Sequence, residues 1–156
     1  MVTTIKRYVF LVLSALFISS AAFANNVTVS NVTMTGQDAT NDFVFVKFDT
    51  SWENSWRTSS APNNWDAVWV FVKYKVGSGD WQHATLSATA GQHTAPSGST
   101  ITPSSDGKGA FIYRSADGSG TVSLSDARFR WNYGTDGVAD DAQVTLDVFA
   151  TEMVYV

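Results

Sequence analysis

The sequence has no cysteine, only three prolines and few basic residues. Without cysteine there is no thiol nucleophile, no thiolate metal centre, no iron–sulfur cluster and no disulfide, so the fold must stand on packing alone. A domain of this size can bury enough apolar surface to do so. Lysine and arginine number 10 against 14 acidic residues, a net charge of −4. That balance repels phosphate backbones and anionic lipid, which argues against nucleic acid as a partner. No stretch repeats its apolar residues at a helical period, and no glycine-rich turn opens a helix that could cradle a phosphate.

The one long apolar run lies at the N-terminus. Lys6 and Arg7 precede the segment Tyr8 to Ile18, and Ala22-Phe23-Ala24 supplies small residues in an A-x-A arrangement. Residues 1–24 therefore read as a signal peptide cleaved before Asn25; the apolar run is too short to anchor comfortably in a bilayer. The expectation is a secreted, periplasmic or cell-surface product with no membrane segment after cleavage. Removing Lys6 and Arg7 leaves 8 basic residues against 14 acidic, a net charge of −6.

The remainder alternates at period two in short runs punctuated by Gly, Asn, Asp, Ser and Pro. Strands are expected around Val27–Met34, over Phe43–Trp52, Ala67–Val76, Trp81–Leu86, Gly109–Arg114, Thr121–Leu124 and Ala127–Tyr133, and from Val144 onward. This pattern predicts an all-β fold, an antiparallel β-sandwich of seven or eight strands over residues 25–150. The chain closes on Glu152-Met153-Val154-Tyr155-Val156, apolar to the last residue. Residues 151–156 read as the start of a following domain, or as a strand that a partner completes.

The segments Ser51–Arg57 and Ala61–Tyr74, Asp106-Gly107-Lys108-Gly109, Ile112-Tyr113-Arg114-Ser115, Trp131-Asn132-Tyr133-Gly134 and the closing Glu152–Val156 carry a resemblance. Together they resemble the N-terminal β-domain of secreted bacterial proteins that continue into a formylglycine-generating, sulfatase-modifying-factor-like domain. The resemblance covers essentially all of the mature chain and implies an accessory module. Catalysis in that family depends on cysteines and copper, so the resemblance brings no catalytic residue to this cysteine-free chain.

Three groups of residues are candidates for recognition. In Phe43–Asp49 and Ala67–Val76, lysines and an aspartate share a face with Phe43, Phe45, Trp69 and Phe71. If the two strands are neighbours, these aromatics form one outer patch, either covered by the segment Glu53–Asp66 folded over it or open to a neighbouring domain or protein partner. The segment Glu53–Asp66 reads as a long loop with Trp56 and Trp65, and with Trp52 at its entrance. Trp52, Trp56, Trp65, Asn63, Asn64 and Asp66 could bind a glycan, rings stacking on sugar faces and polar groups bonding hydroxyls. Alternatively, the tryptophans plug one end of the sandwich with their indole N–H groups satisfied locally. Asp136, Asp140 and Asp141 offer carboxylates for calcium, or form a solvated turn. His83 and His93 have no partner at a motif spacing and read as a strand-surface and a loop histidine.

No nucleophile–base pair or metal set can be assembled from these residues, so the chain is expected not to be an enzyme. The leading expectation is a non-catalytic accessory module. A carbohydrate-binding or adhesion domain, and a fibre subunit that shares strands between copies, are the alternatives.

Overall fold

The computed structural model describes residues 26–155; the expected signal segment lies outside the described residues. Eight antiparallel strands form the fold, and no α-helix occurs among the described residues. They are β1 (Thr28–Asp38), β2 (Phe43–Arg57), β3 (Trp65–Val76), β4 (Gln82–His83), β5 (Ser99–Pro103), β6 (Ala110–Arg114), β7 (Gly118–Trp131) and β8 (Val144–Tyr155).

β2 lies between β1 and β7. β3 lies between β8 on one side and, on the other, β6 near its start and β4 near its end, with β5 beyond β6. The two groups meet where Arg57 pairs with Trp65, so one sheet curls into two layers.

Period-two alternation builds the core between the layers. β2 turns Val44, Val46, Phe48, Thr50 and Trp52 inward, β3 turns Val68, Val70, Val72 and Tyr74, and β7 adds Val122, Leu124, Ala127, Phe129 and Trp131. The rings of Tyr74 and Trp131 meet at 4.7 Å although their strands are not paired, so this contact crosses the interior. Each such side chain, once buried, contributes about 1.5–3 kcal/mol, and this core replaces the disulfides the chain lacks.

The structure departs from the sequence reading in four places. β2 runs on through the supposed loop to Arg57, shifting register between Trp52 and Ser55, where Asn54 has φ 55°. The two strands expected over Thr121–Tyr133 are one, β7; it bulges around Asp126 (φ 62°), whose N–H donates to Asp49 Oδ1 at 2.9 Å. β5 forms where only a small-residue loop was expected, because Ile101 alone carries its inward face. Finally, β8 crosses residue 150 without a break. Val144 to Tyr155 pair continuously with Val76 to Trp65, so the boundary placed there falls inside a strand.

Candidate interaction surface

The outward faces of β8, β3 and β6 carry a group of aromatic side chains. Alternation places Trp65, Trp69 and Phe71 outside on β3, between the buried Val68, Val70 and Val72. On β6, Phe111 and Tyr113 flank the buried Ile112; on β8, Phe149 follows the buried Val148. Strand register then brings them side by side. Trp69 pairs with Phe111, and Phe71 with Phe149.

The rings stand against one another. Phe71 is stacked between His83 on β4 (5.6 Å, 24°) and Phe149 on β8 (5.1 Å, 11°). Trp65 stacks on Tyr113 at 6.0 Å, and the Arg57 guanidinium lies 4.9 Å from the Trp65 ring and 5.4 Å from that of Tyr113. Trp69 leans over the chain at Gly109. A Cβ there would sit 2.4 Å from the indole, so only glycine lets the ring lie in this position. Between Trp65, Phe111, Tyr113 and Met153 a groove of about 420 Å³ opens, with the buried Ala67 at its floor. Phe149 and Met153 are 43% and 46% exposed, well above what side chains of this kind usually show in a folded domain. Lys73 and Lys75 border the face further along β3.

Of the four residues expected as one patch, the structure separates two from two. Phe43 and Phe45 lie on β2, whose neighbours along this stretch are β1 and β7, so they belong to the other layer. Their rings meet edge to face at 5.6 Å, and Arg130 covers Phe43 at 3.9 Å. Trp69 and Phe71 are joined instead by Phe111, Tyr113 and Phe149. Alternation within Ala110–Arg114 and Val144–Val154 marks those three as outward, but only strand order makes them neighbours.

The six residues expected to bind a glycan are likewise not brought together. Trp52 and Asp66 are fully buried. The Trp52 indole N–H donates to Asp66 Oδ2 at 2.6 Å, while Ser55 Oγ and the Trp56 backbone N–H donate to Oδ1 at 2.9 and 3.0 Å. This clasp closes one end of the sandwich, as the plug alternative expects of Trp52, and removes both residues from any ligand. Trp65 belongs to the aromatic face, Trp56 is half-buried on β2, and Asn63 and Asn64 sit in the connecting turn.

The three aspartates expected for calcium have separate employments. Asp136 accepts the Trp131 indole N–H at 2.6 Å and the Thr85 N–H and hydroxyl at 2.8 and 2.6 Å, clasping the opposite end. Asp140 accepts the Tyr133 hydroxyl at 2.6 Å, and Asp141 is exposed. Among the described residues no three His, Cys, Asp or Glu side chains form a group able to hold a metal.

His93, expected as a loop histidine, follows the turn Ala90–Gln92 and is buried. Its Nδ1 accepts the Arg130 N–H at 3.2 Å, so Nε2 carries the hydrogen that reaches Ser87 O at 2.8 Å. Burial pushes its pKa below the usual histidine value, and the Arg130 charge adds to that.

A second concavity, polar and open, lies between the turn after β1 and the segment after β7. Asn41, Asp42, Gln92, Arg130, Asn132 and Thr135 line it. Gly134 allows the two turns to touch: its N–H donates to Asp42 O at 3.1 Å, and a Cβ would strike Asp42 at 2.4 Å.

No family model, no curated protein and no solved structure matches this chain. Among the described residues no helix is long and apolar enough to cross a membrane.

Proposed function

We propose that this chain is an exported, non-catalytic interaction module that holds a neighbouring domain or protein against the outer aromatic face of β8, β3 and β6. One observation carries the reading: six aromatic side chains from three adjacent strands share one outward face, and three of them, Trp65, Phe111 and Tyr113, line an apolar groove. Covering such rings contributes about 1.5–3 kcal/mol each before the entropy of association is subtracted, so a few suffice for a specific contact. The stacking favours protein over sugar. A sugar stacks on an open ring face. Here both faces of Phe71 are taken by His83 and Phe149, while Tyr113 and Arg57 crowd one side of Trp65, so Phe71 offers only its edges and Trp65 only one face. The resemblance of the sequence supports a sulfatase-modifying-factor-like domain as the neighbour.

The test is retention of a companion by the natively isolated protein. The wild type and a Lys47→Ser, Asp49→Ser control on the opposite layer should both carry it, and Trp69→Ser with Phe111→Ser should lose it. A companion that survives the aromatic double change, or a wild type that carries none, ends this reading.

A glycan remains the second reading, because amides, a guanidinium and a carboxylate line the polar concavity. Glycan retention that Asn132→Ala abolishes at unchanged melting temperature would select it.

A further inference from the structure

β8 is an edge strand. All twelve residues from Val144 to Tyr155 pair with β3 in one register without a bulge, and no described residue pairs with the strand's other side. β1 comes near it without pairing, and the two line a shared cavity at Val144. Folded proteins usually blunt such an edge with lysine, proline, a bulge or brevity. β8 has no lysine, proline or bulge and is long; its only charges are Asp147 on the outer row and Glu152 on the inner one. The aromatic stack also stops at this edge. His83, Phe71 and Phe149 follow one another across β4, β3 and β8, and the last ring is 43% exposed.

We propose that the segment Leu146–Glu152 of β8 pairs antiparallel with the same segment of a second copy, about a twofold axis at Phe149. Residues directly opposite in an antiparallel pair point to the same face. With the axis at Phe149, the two Phe149 rings stand opposite each other and the stack runs on through both subunits. Asp147 then faces Thr151 of the second copy, Val148 faces Ala150, and Leu146 faces Glu152, so no acid meets an acid. An axis at Asp147 or at Glu152 would place like charges in direct opposition. Axes at Val148 or Ala150 avoid that but put Phe149 opposite Asp147 or Thr151, breaking the stack. A twofold contact of this kind closes at two copies, giving a dimer and no fibre. The pairing deepens the docking reading, because it joins two aromatic faces into one, but it is measured separately from it.

The absence of cysteine makes a register test direct. Asp147→Cys and Thr151→Cys are exposed outer-face changes that leave every ring in place. Mixed and oxidised, the two variants should cross-link to each other, while neither should cross-link to itself. Self-pairing at either position would need a shift of four residues, roughly 13 Å along the strand. Sedimentation should show a wild-type dimer, and Phe149→Lys, which sets two lysines in opposition, should weaken it by about tenfold or more with unchanged circular dichroism. A monomeric wild type, or disulfides formed by either variant alone, overturns the proposal. Loss of the companion in Trp69→Ser with Phe111→Ser while the dimer persists supports both readings. Persistence of companion and dimer together overturns docking alone.

Discussion

The ends of the sandwich and its outer face use the same residue types to opposite effect. At one end the buried Trp52 donates its indole N–H to Asp66, and at the other Trp131 donates to Asp136, each at 2.6 Å. Both carboxylates accept three hydrogen bonds. These tryptophans have no polar need left and no surface to offer. On the outer face, Trp69, Phe71, Phe111 and Phe149 lie against other rings, Trp69 also over Gly109, and no clasp buries them. An aromatic residue whose polar atom and surface are both satisfied within the fold serves stability, and one left half-covered among its own kind is available to a partner. Changes at the ends should therefore cost stability, and changes on the face should cost binding.

The largest effect is expected at Asp66. Asp66→Ala strands two buried donors and the half-buried Trp56 N–H, at about 1–3 kcal/mol for each buried one, and should lower unfolding free energy by about 3 kcal/mol. Urea denaturation reads this directly, and a loss below about 1 kcal/mol would show that the clasp is not structural. Asp136→Ala removes the matching clasp, but Asp136 is only half-buried and water can reach the stranded groups. Its expected loss is about 2 kcal/mol in the same titration.

On the face the signs reverse. Gly109→Ala forces the Trp69 ring off its seat. It should cost about 1 kcal/mol of stability, since the ring can swing toward solvent, yet reduce companion retention as strongly as Trp69→Ser. Retained binding at full strength would show that the position of this ring does not matter.

The smallest effect is a dependence on pH. His93 is held neutral, with a folded pKa below its unfolded value near 6.5, so the unfolded chain takes up more protons. The stability it contributes is complete above that unfolded value and is lost as pH falls through the folded one. Below about pH 6.5 the slope should approach but not exceed about 1.4 kcal/mol per unit. His93→Gln should flatten it over that range, and an unchanged profile would assign the slope to other groups.

Much of the fold is legible in the alternation of Phe43–Trp52, Ala67–Val76 and Val144–Val148, because a half-buried strand writes its two faces into its sequence. β5 is not, since Ser99–Pro103 holds one inward apolar residue and looks like a loop. The bulge at Asp126 looks like a turn for a related reason: a left-handed residue interrupts the period without ending the strand. At the candidate surface, Trp69 and Phe71 are readable as outward because they share a face with Lys73 and Lys75. That Phe111 and Phe149 flank them follows from strand order, which composition does not encode. The Asp66 clasp is hidden more deeply, because its donor and acceptor lie 14 positions apart and meet only when β2 bulges at Asn54.

The most direct measurement is photo-crosslinking in the native host, with the reactive residue placed in turn at 111, 153, 49 and 51. The aromatic-face reading predicts companion adducts from positions 111 and 153 and none from 49 and 51 on the opposite layer. Adducts of equal yield from both layers, or none from position 111, would contradict it.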